Sequence, residues 1–275
     1  MPPAVFRFDV YVLIFPSRGV ALQAFHLGAM LLIALLYSRG RPRDTPAASW
    51  RDLRSPHGLY LADLLSNCIV LSSRWEPLPA FAPRHLASFF LFRLLLMELV
   101  FDFFHYCSHR LSHTLPVLYT HFHKIHHSHH ADLHVGSTLQ MHPVDGMLTN
   151  TLPLLLAVAL IPIQSHWEFH VYMAYKTAQE LFGHCGAQVK VTPHPSHIIA
   201  TGRASGCFWT RLTGGIQVKS FPSNPWLVEW LNMDLYIIDH TAHHVDGRCN
   251  FGKRLSLWDR VFGTFLRPAV AAKLD

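Results

Sequence analysis

Apolar residues along the chain are gathered into long blocks separated by short polar stretches. Val20–Tyr37 is uncharged from end to end and long enough to cross a bilayer as a helix close to the normal. Gly58–Ser73 is shorter and carries Asp63 and Asn67, which makes it a second crossing or a helix lying against others. Leu86–Phe104 is strongly apolar yet holds Arg93, Glu98 and Asp102. Charges at membrane depth face the protein interior and mark function. Leu148–Ile163 and Trp167–Phe182 read as a helical hairpin around Pro162, with Glu168, Lys176 and Glu180 on its second arm. From Gly183 onward the chain turns rich in Gly, Pro and polar residues, and no further span is predicted. The pattern predicts an all-α, multi-span helical membrane protein whose last part forms a polar cap.

Composition supports this. Half of the 275 residues are hydrophobic and only 15% are charged, against roughly a quarter in ordinary soluble domains. The mean hydropathy is +0.20. The net charge of +6 comes from short basic groups, such as Arg39, Arg41, Arg43, Arg51 and Arg54, and not from a tract suited to nucleic acid. By the positive-inside rule the Arg-rich loop 39–54 faces the cytoplasm, and the predicted crossings return every later polar segment to that side. The N-terminus has no signal-peptide pattern. Five scattered Cys without a C-x-x-C pair suggest neither a disulfide framework nor a thiolate metal site.

What changes the picture is histidine: 22 residues, more than the 17 acidic ones. His105 and His109 are four apart and share a helix face. His123, His126 and His127 form an H-x-x-H-H group, and His240, His243 and His244 repeat that spacing. Three such groups on one predicted membrane face supply enough imidazoles for two metal ions with open positions. Nitrogen-only ligation suits Fe, Zn, Cu or Ni, and ligand chemistry alone does not choose among them. Asp102, Asp145 and Asp239 lie near these groups and could orient a ligating imidazole by accepting its second N–H, although a salt bridge or a helix cap accounts for them as well. Phe101, Phe104 and Met147 are candidate walls of an apolar substrate path.

The ordered segments HYCSHR, HFHKIHH, MHPVDG, FGHCG, DHTAHHVDGRCNFG and LWDRVFGTF resemble the fatty acid hydroxylase / sterol desaturase family of membrane-bound di-iron oxidoreductases. The resemblance implies residues 1–85 as N-terminal membrane-anchoring helices, 86–267 as the catalytic domain and 268–275 as a tail. It implies a cytoplasmic di-metal centre ligated by the eight box histidines, joined by His142 of HPVD and His184 of GHCG, with no catalytic side chain beyond the metals. It further implies two iron ions, replaceable by zinc on overexpression, and O2-dependent hydroxylation or desaturation of a sterol or fatty acyl chain in lipid biosynthesis. Electrons would come from NAD(P)H through a cytochrome b5 or a reductase. The chain has no H-P-G-G motif of its own, so this donor is expected to be a separate protein. The expected location is the endoplasmic reticulum membrane. A histidine-rich metal transporter or buffer is the competing reading, but a transporter would place its histidines at mid-membrane and not at span ends.

Overall fold

The computed structural model describes residues 92–129, 137, 138, 140–161, 166–184, 190–193, 198–201 and 225–270. The expected spans at 20–37 and 58–73, and with them the whole of 1–85, lie outside the described residues. So do the last residues of the expected tail.

The described part is mostly helical, as the hydrophobic pattern predicts. Helix α1 (Leu94–Thr114) is followed by α2 (Pro116–His121) and a tight turn of 3₁₀ type, His123–His129. Next come α3 (Pro143–Gly146), a wide π turn (Met147–Thr151) and α4 (Leu152–Leu160), which run on as one rod. Helix α5 (His166–Gly183) completes the hairpin expected around Pro162. The later part carries α6 (Pro225–Trp230), α7 (Ile237–Asp246) and α8 (Leu257–Val261). It also holds a small sheet that the sequence pattern does not announce: β1 (Lys190–Pro193) pairs antiparallel with β2 (Ile198–Thr201), which pairs parallel with β3 (Ala269–Val270). Pro143–Leu160 is the one stretch among the described residues long and apolar enough to cross a bilayer.

Helix α1 is the spine. Leu94, Met97 and Phe101 pack against Leu154, Ala157 and Val158 of α4 and Tyr172 and Met173 of α5. On another side Leu95 meets Val228, Met233 and Leu255 from the later part of the chain. The helix is turned inside out relative to a soluble one: Glu98 and Asp102 are 0% exposed, while Leu96 and Leu111 are 50% and 47% exposed. The buried charges are paired, as burial requires. Glu98 accepts from Tyr175 Oη at 2.6 Å, and Arg93 donates to Glu168 at 2.7 Å.

Two buried carboxylates then fix the loop after α7. Asp259 accepts the N–H groups of Phe251 (2.8 Å) and Gly252 (2.7 Å), and Asp102 accepts those of Lys253 (2.9 Å), Arg254 (2.9 Å) and Leu255 (3.2 Å). Consecutive backbone donors are thus satisfied by acceptors from α1 and α8, which ties the cap to the helical spine. Gly252 is needed there, because a Cβ would lie 2.6 Å from the Leu255 carbonyl.

Candidate metal centre

The buried face of α1 continues Asp102, His105, His109 at one-turn intervals, with His113 one turn further. The turn His123–His129 projects His123, His126 and His127 inward, all buried. Helix α7 brings His240, His243 and His244, and His184 follows directly on α5. These side chains fall into two groups. His109, His113, His123, His127 and His243 form one; His126, His184, His240 and His244 form the other; within each, ligand nitrogens lie within 4.8 Å of one another. Each H-x-x-H-H motif is therefore shared out. On a helix the i and i+4 positions lie together and the i+3 position lies to one side. So His240 and His244 serve the second group while His243 serves the first, and His126 of the 3₁₀ turn likewise joins the second group while His123 and His127 join the first.

Four of the rings are oriented by hydrogen bonds behind them. His109 Nδ1 meets the Phe251 carbonyl at 2.8 Å, His243 Nδ1 the Cys249 carbonyl at 2.7 Å and His184 Nδ1 the Glu180 carbonyl at 3.0 Å. His123 Nδ1 meets Asp145 Oδ1 at 2.9 Å. A carbonyl or carboxylate accepts only, so each of these Nδ1 atoms donates its N–H outward and Nε2 faces the middle. Burial, then the neighbouring imidazoles, holds His109, His126, His127, His240 and His244 well below the usual imidazole range and His113 at about 2. For His243 burial outweighs the Cys249 hydrogen bond and leaves it at about 3.

Nε2 atoms consequently crowd together: His113 to His123 at 3.0 Å, His113 to His243 at 3.2 Å, His127 to His243 at 3.2 Å, and His240 to both His184 and His244 at 3.2 Å. According to tautomer each of these contacts is an N–H···N hydrogen bond or a meeting of two lone pairs, and a shared cation would take up all the nitrogens of a group at once. Imidazoles bound to one ion at about 2.0–2.1 Å have their nitrogens roughly 3.0–3.4 Å apart, depending on the angle. The residues therefore fit two metal ions, one per group.

The site residues expected from sequence divide accordingly. His109, His123, His126, His127, His184, His240, His243 and His244 enter the groups. His105 and His142 do not. The His105 ring stands between Phe101 and His109, and its Nδ1 meets the Thr149 carbonyl at 2.6 Å. His142 caps α3, accepting the Val144 N–H at 3.2 Å, with its ring 4.8 Å from Phe122. His113 joins the first group although none of the three histidine motifs contains it; its signal was present, because His109 and His113 repeat the four-residue spacing of His105 and His109. Of the candidate orienting carboxylates, Asp145 holds His123, Asp102 holds the 253–255 backbone, and Asp239 accepts the Tyr236 N–H at 2.9 Å and pairs with Arg267 at 3.2 Å. Phe101 is buried in the helical core under Arg254, and Met147 is exposed, so neither lines the metal-side cavity.

Fold and site together define a helical protein built around two imidazole-only clusters. Comparison with known proteins supplies the family. Residues 94–207 match the fatty acid hydroxylase family, in line with the motif resemblance. The chain is also similar to fatty acid hydroxylase vlmA from Lecanicillium sp, at 28% identity over 180 residues, 62% of this chain and 41% of that protein. It thus spans about two-fifths of the length of that relative. No solved structure matches it.

Proposed function

We propose that the chain is a membrane-bound, O2-dependent di-iron oxidoreductase that hydroxylates or desaturates a sterol or fatty acyl chain. One iron would be held by His109, His113, His123, His127 and His243, the other by His126, His184, His240 and His244. When bound, the two ions would supply the dioxygen chemistry that attacks a C–H bond, which side chains alone do not perform.

The protein's own contribution is positional. Asp145 and the carbonyls of Phe251, Cys249 and Glu180 hold four rings with the proton on the outer nitrogen, so the inner nitrogen stays available at neutral pH. No thiolate or carboxylate belongs to either group among the described residues, which leaves a neutral nitrogen ligand field suited to iron. Zinc fits the same nitrogens and can displace iron on overexpression. The outward apolar residues of α1 and the Pro143–Leu160 rod support a place in the bilayer, and the proposal adds several spans, the endoplasmic reticulum and a histidine side toward the cytoplasm. Electrons are expected from NAD(P)H through a separate cytochrome b5 or reductase.

The single observation that carries this reading is the division of nine buried or half-buried histidines into two groups, each with ligand-like nitrogen separations, six of them within the residues that match the fatty acid hydroxylase family. The test is turnover of the iron-loaded protein in nanodiscs made from host lipids, with NAD(P)H, a reductase system and isotopically labelled dioxygen. The expected result is iron-dependent labelling of a lipid hydroxyl, or a new double bond. Zinc movement across vesicles with no lipid product would favour the transporter reading instead.

A further inference from the structure

A cavity opens beside the two groups, lined by ligands of both and by Thr138, Met141, Thr149, Glu180 and Lys253. Two of its polar side chains have donors to spare. Lys253 is anchored from both ends: Asp102 holds its backbone N–H, and its ammonium donates to Asn150 Oδ1 at 2.6 Å and faces Glu180 Oε1 at 3.2 Å. An ammonium has three N–H donors, so one remains for the cavity. Thr138 is 2% exposed and its hydroxyl has no hydrogen-bond partner. Buried polar groups are nearly always satisfied, so an orphaned hydroxyl on a cavity wall is a place for a water or a ligand atom.

We propose that Lys253 and Thr138 bind a substrate oxygen: their spare N–H and O–H donate to a carbonyl or carboxylate oxygen of an acyl lipid and hold the adjoining carbons against the two histidine groups. This rests on the oxidoreductase reading for the word substrate, and the binding itself does not. The choice of an acceptor oxygen follows from two donor side chains on the wall of one cavity. The choice of an acyl function over a bare hydrocarbon follows from the cation. Glu180 is already shared between Lys176 and Lys253, so its one negative charge faces two ammonium groups. Bound metal ions would add further positive charge beside this ammonium, so the cavity favours an electron-rich oxygen. The consequence is regiochemical: the carbon that reacts lies close to the oxygen-bearing end of the lipid and not far along its tail.

The experiment measures binding without turnover, using zinc-loaded full-length protein in detergent with palmitate, palmitamide and hexadecane as probes. The wild-type protein should bind palmitate, or palmitate and palmitamide, about tenfold or more tighter than hexadecane. Tightening by palmitate alone identifies a carboxylate ligand, and tightening by both identifies the carbonyl. Lys253→Met and Thr138→Val should each remove most of that preference, leaving hexadecane binding and two zinc ions per chain unchanged. Equal binding of all three probes by the wild type would overturn the proposal. So would an unaltered preference in both variants, or a loss for all probes together with the metal. If the preference behaves as expected but the iron-loaded protein oxidises no lipid, the oxidoreductase reading fails and the oxygen site stands.

Discussion

Asp145 stands in the first turn of a helix opened by His142 and Pro143, where sequence alone would read an N-terminal acidic group or a partner for His142. It is instead the acceptor behind His123. Removing its charge with Asp145→Asn should weaken metal binding at the first group by about 10- to 100-fold, measured by chelator competition, with little change in the second group. Undiminished affinity would show that Asp145 does not orient a ligand. Gly247 bears on the same group from the other side. It closes α7 three residues after His244 with φ +66, and a Cβ there would lie 3.3 Å from the His113 ring. Gly247→Ala should therefore cost about 1–2 kcal/mol in backbone strain and also lower occupancy of the first group; reduced stability with full occupancy would mean that His113 yields freely. At this scale the sequence was legible for residue type and not for partnership. His105, His109 and His113 recur at equal intervals, so spacing cannot say which two share an ion. The choice is made by distant carbonyls: Phe251 holds His109, and Thr149 takes up His105.

At the scale of elements, the Thr149 carbonyl shows how a local break becomes a tertiary hydrogen bond. In a regular helix it would accept the N–H four residues on, from Pro153, which has none. The rod widens into a π turn over Met147–Thr151, and that carbonyl faces His105 Nδ1. The hydrophobic blocks predicted α1, α4 and α5 well, because long apolar runs leave few alternatives. Their polar interruptions were also informative, since Arg93 and Glu98 do pair with residues on another helix, Arg93 with Glu168 and Glu98 with Tyr175. The three-stranded sheet was not legible, because its strands are too short for an alternating pattern to stand out. Nor was the role of Asp102, whose partners lie 151 to 153 residues away in the sequence. Asp102→Asn replaces an acceptor oxygen by a donor facing backbone N–H groups. It should destabilise the protein by about 3 kcal/mol or more in thermal unfolding, with the cap separating from α1 before the helices melt. An unchanged melting temperature would contradict the anchoring role.

For the whole molecule, gathering this many imidazoles in one buried place sets how the fold responds to acid. In the unfolded chain these rings titrate near 6.5, whereas in the fold burial holds them lower, His243 at about 3. Below about pH 6.5 the unfolded chain takes up protons that the fold refuses, so the metal-free protein should lose stability steadily as the pH drops from about 6.5 toward about 3. Well above that range neither state carries these protons, and this source adds no further slope. A pH titration of the unfolding midpoint checks the sign; stability rising with acid across that window would contradict buried neutral histidines.

That two separate groups each hold one ion is tested most directly by elemental analysis of purified full-length protein alongside His113→Ala and His184→Ala, which belong to different groups. Two metal ions per chain are predicted in the wild type and about one in each variant, with the survivor in the untouched group. One ion or none in the wild type, or two retained in both variants, would contradict the two-group arrangement.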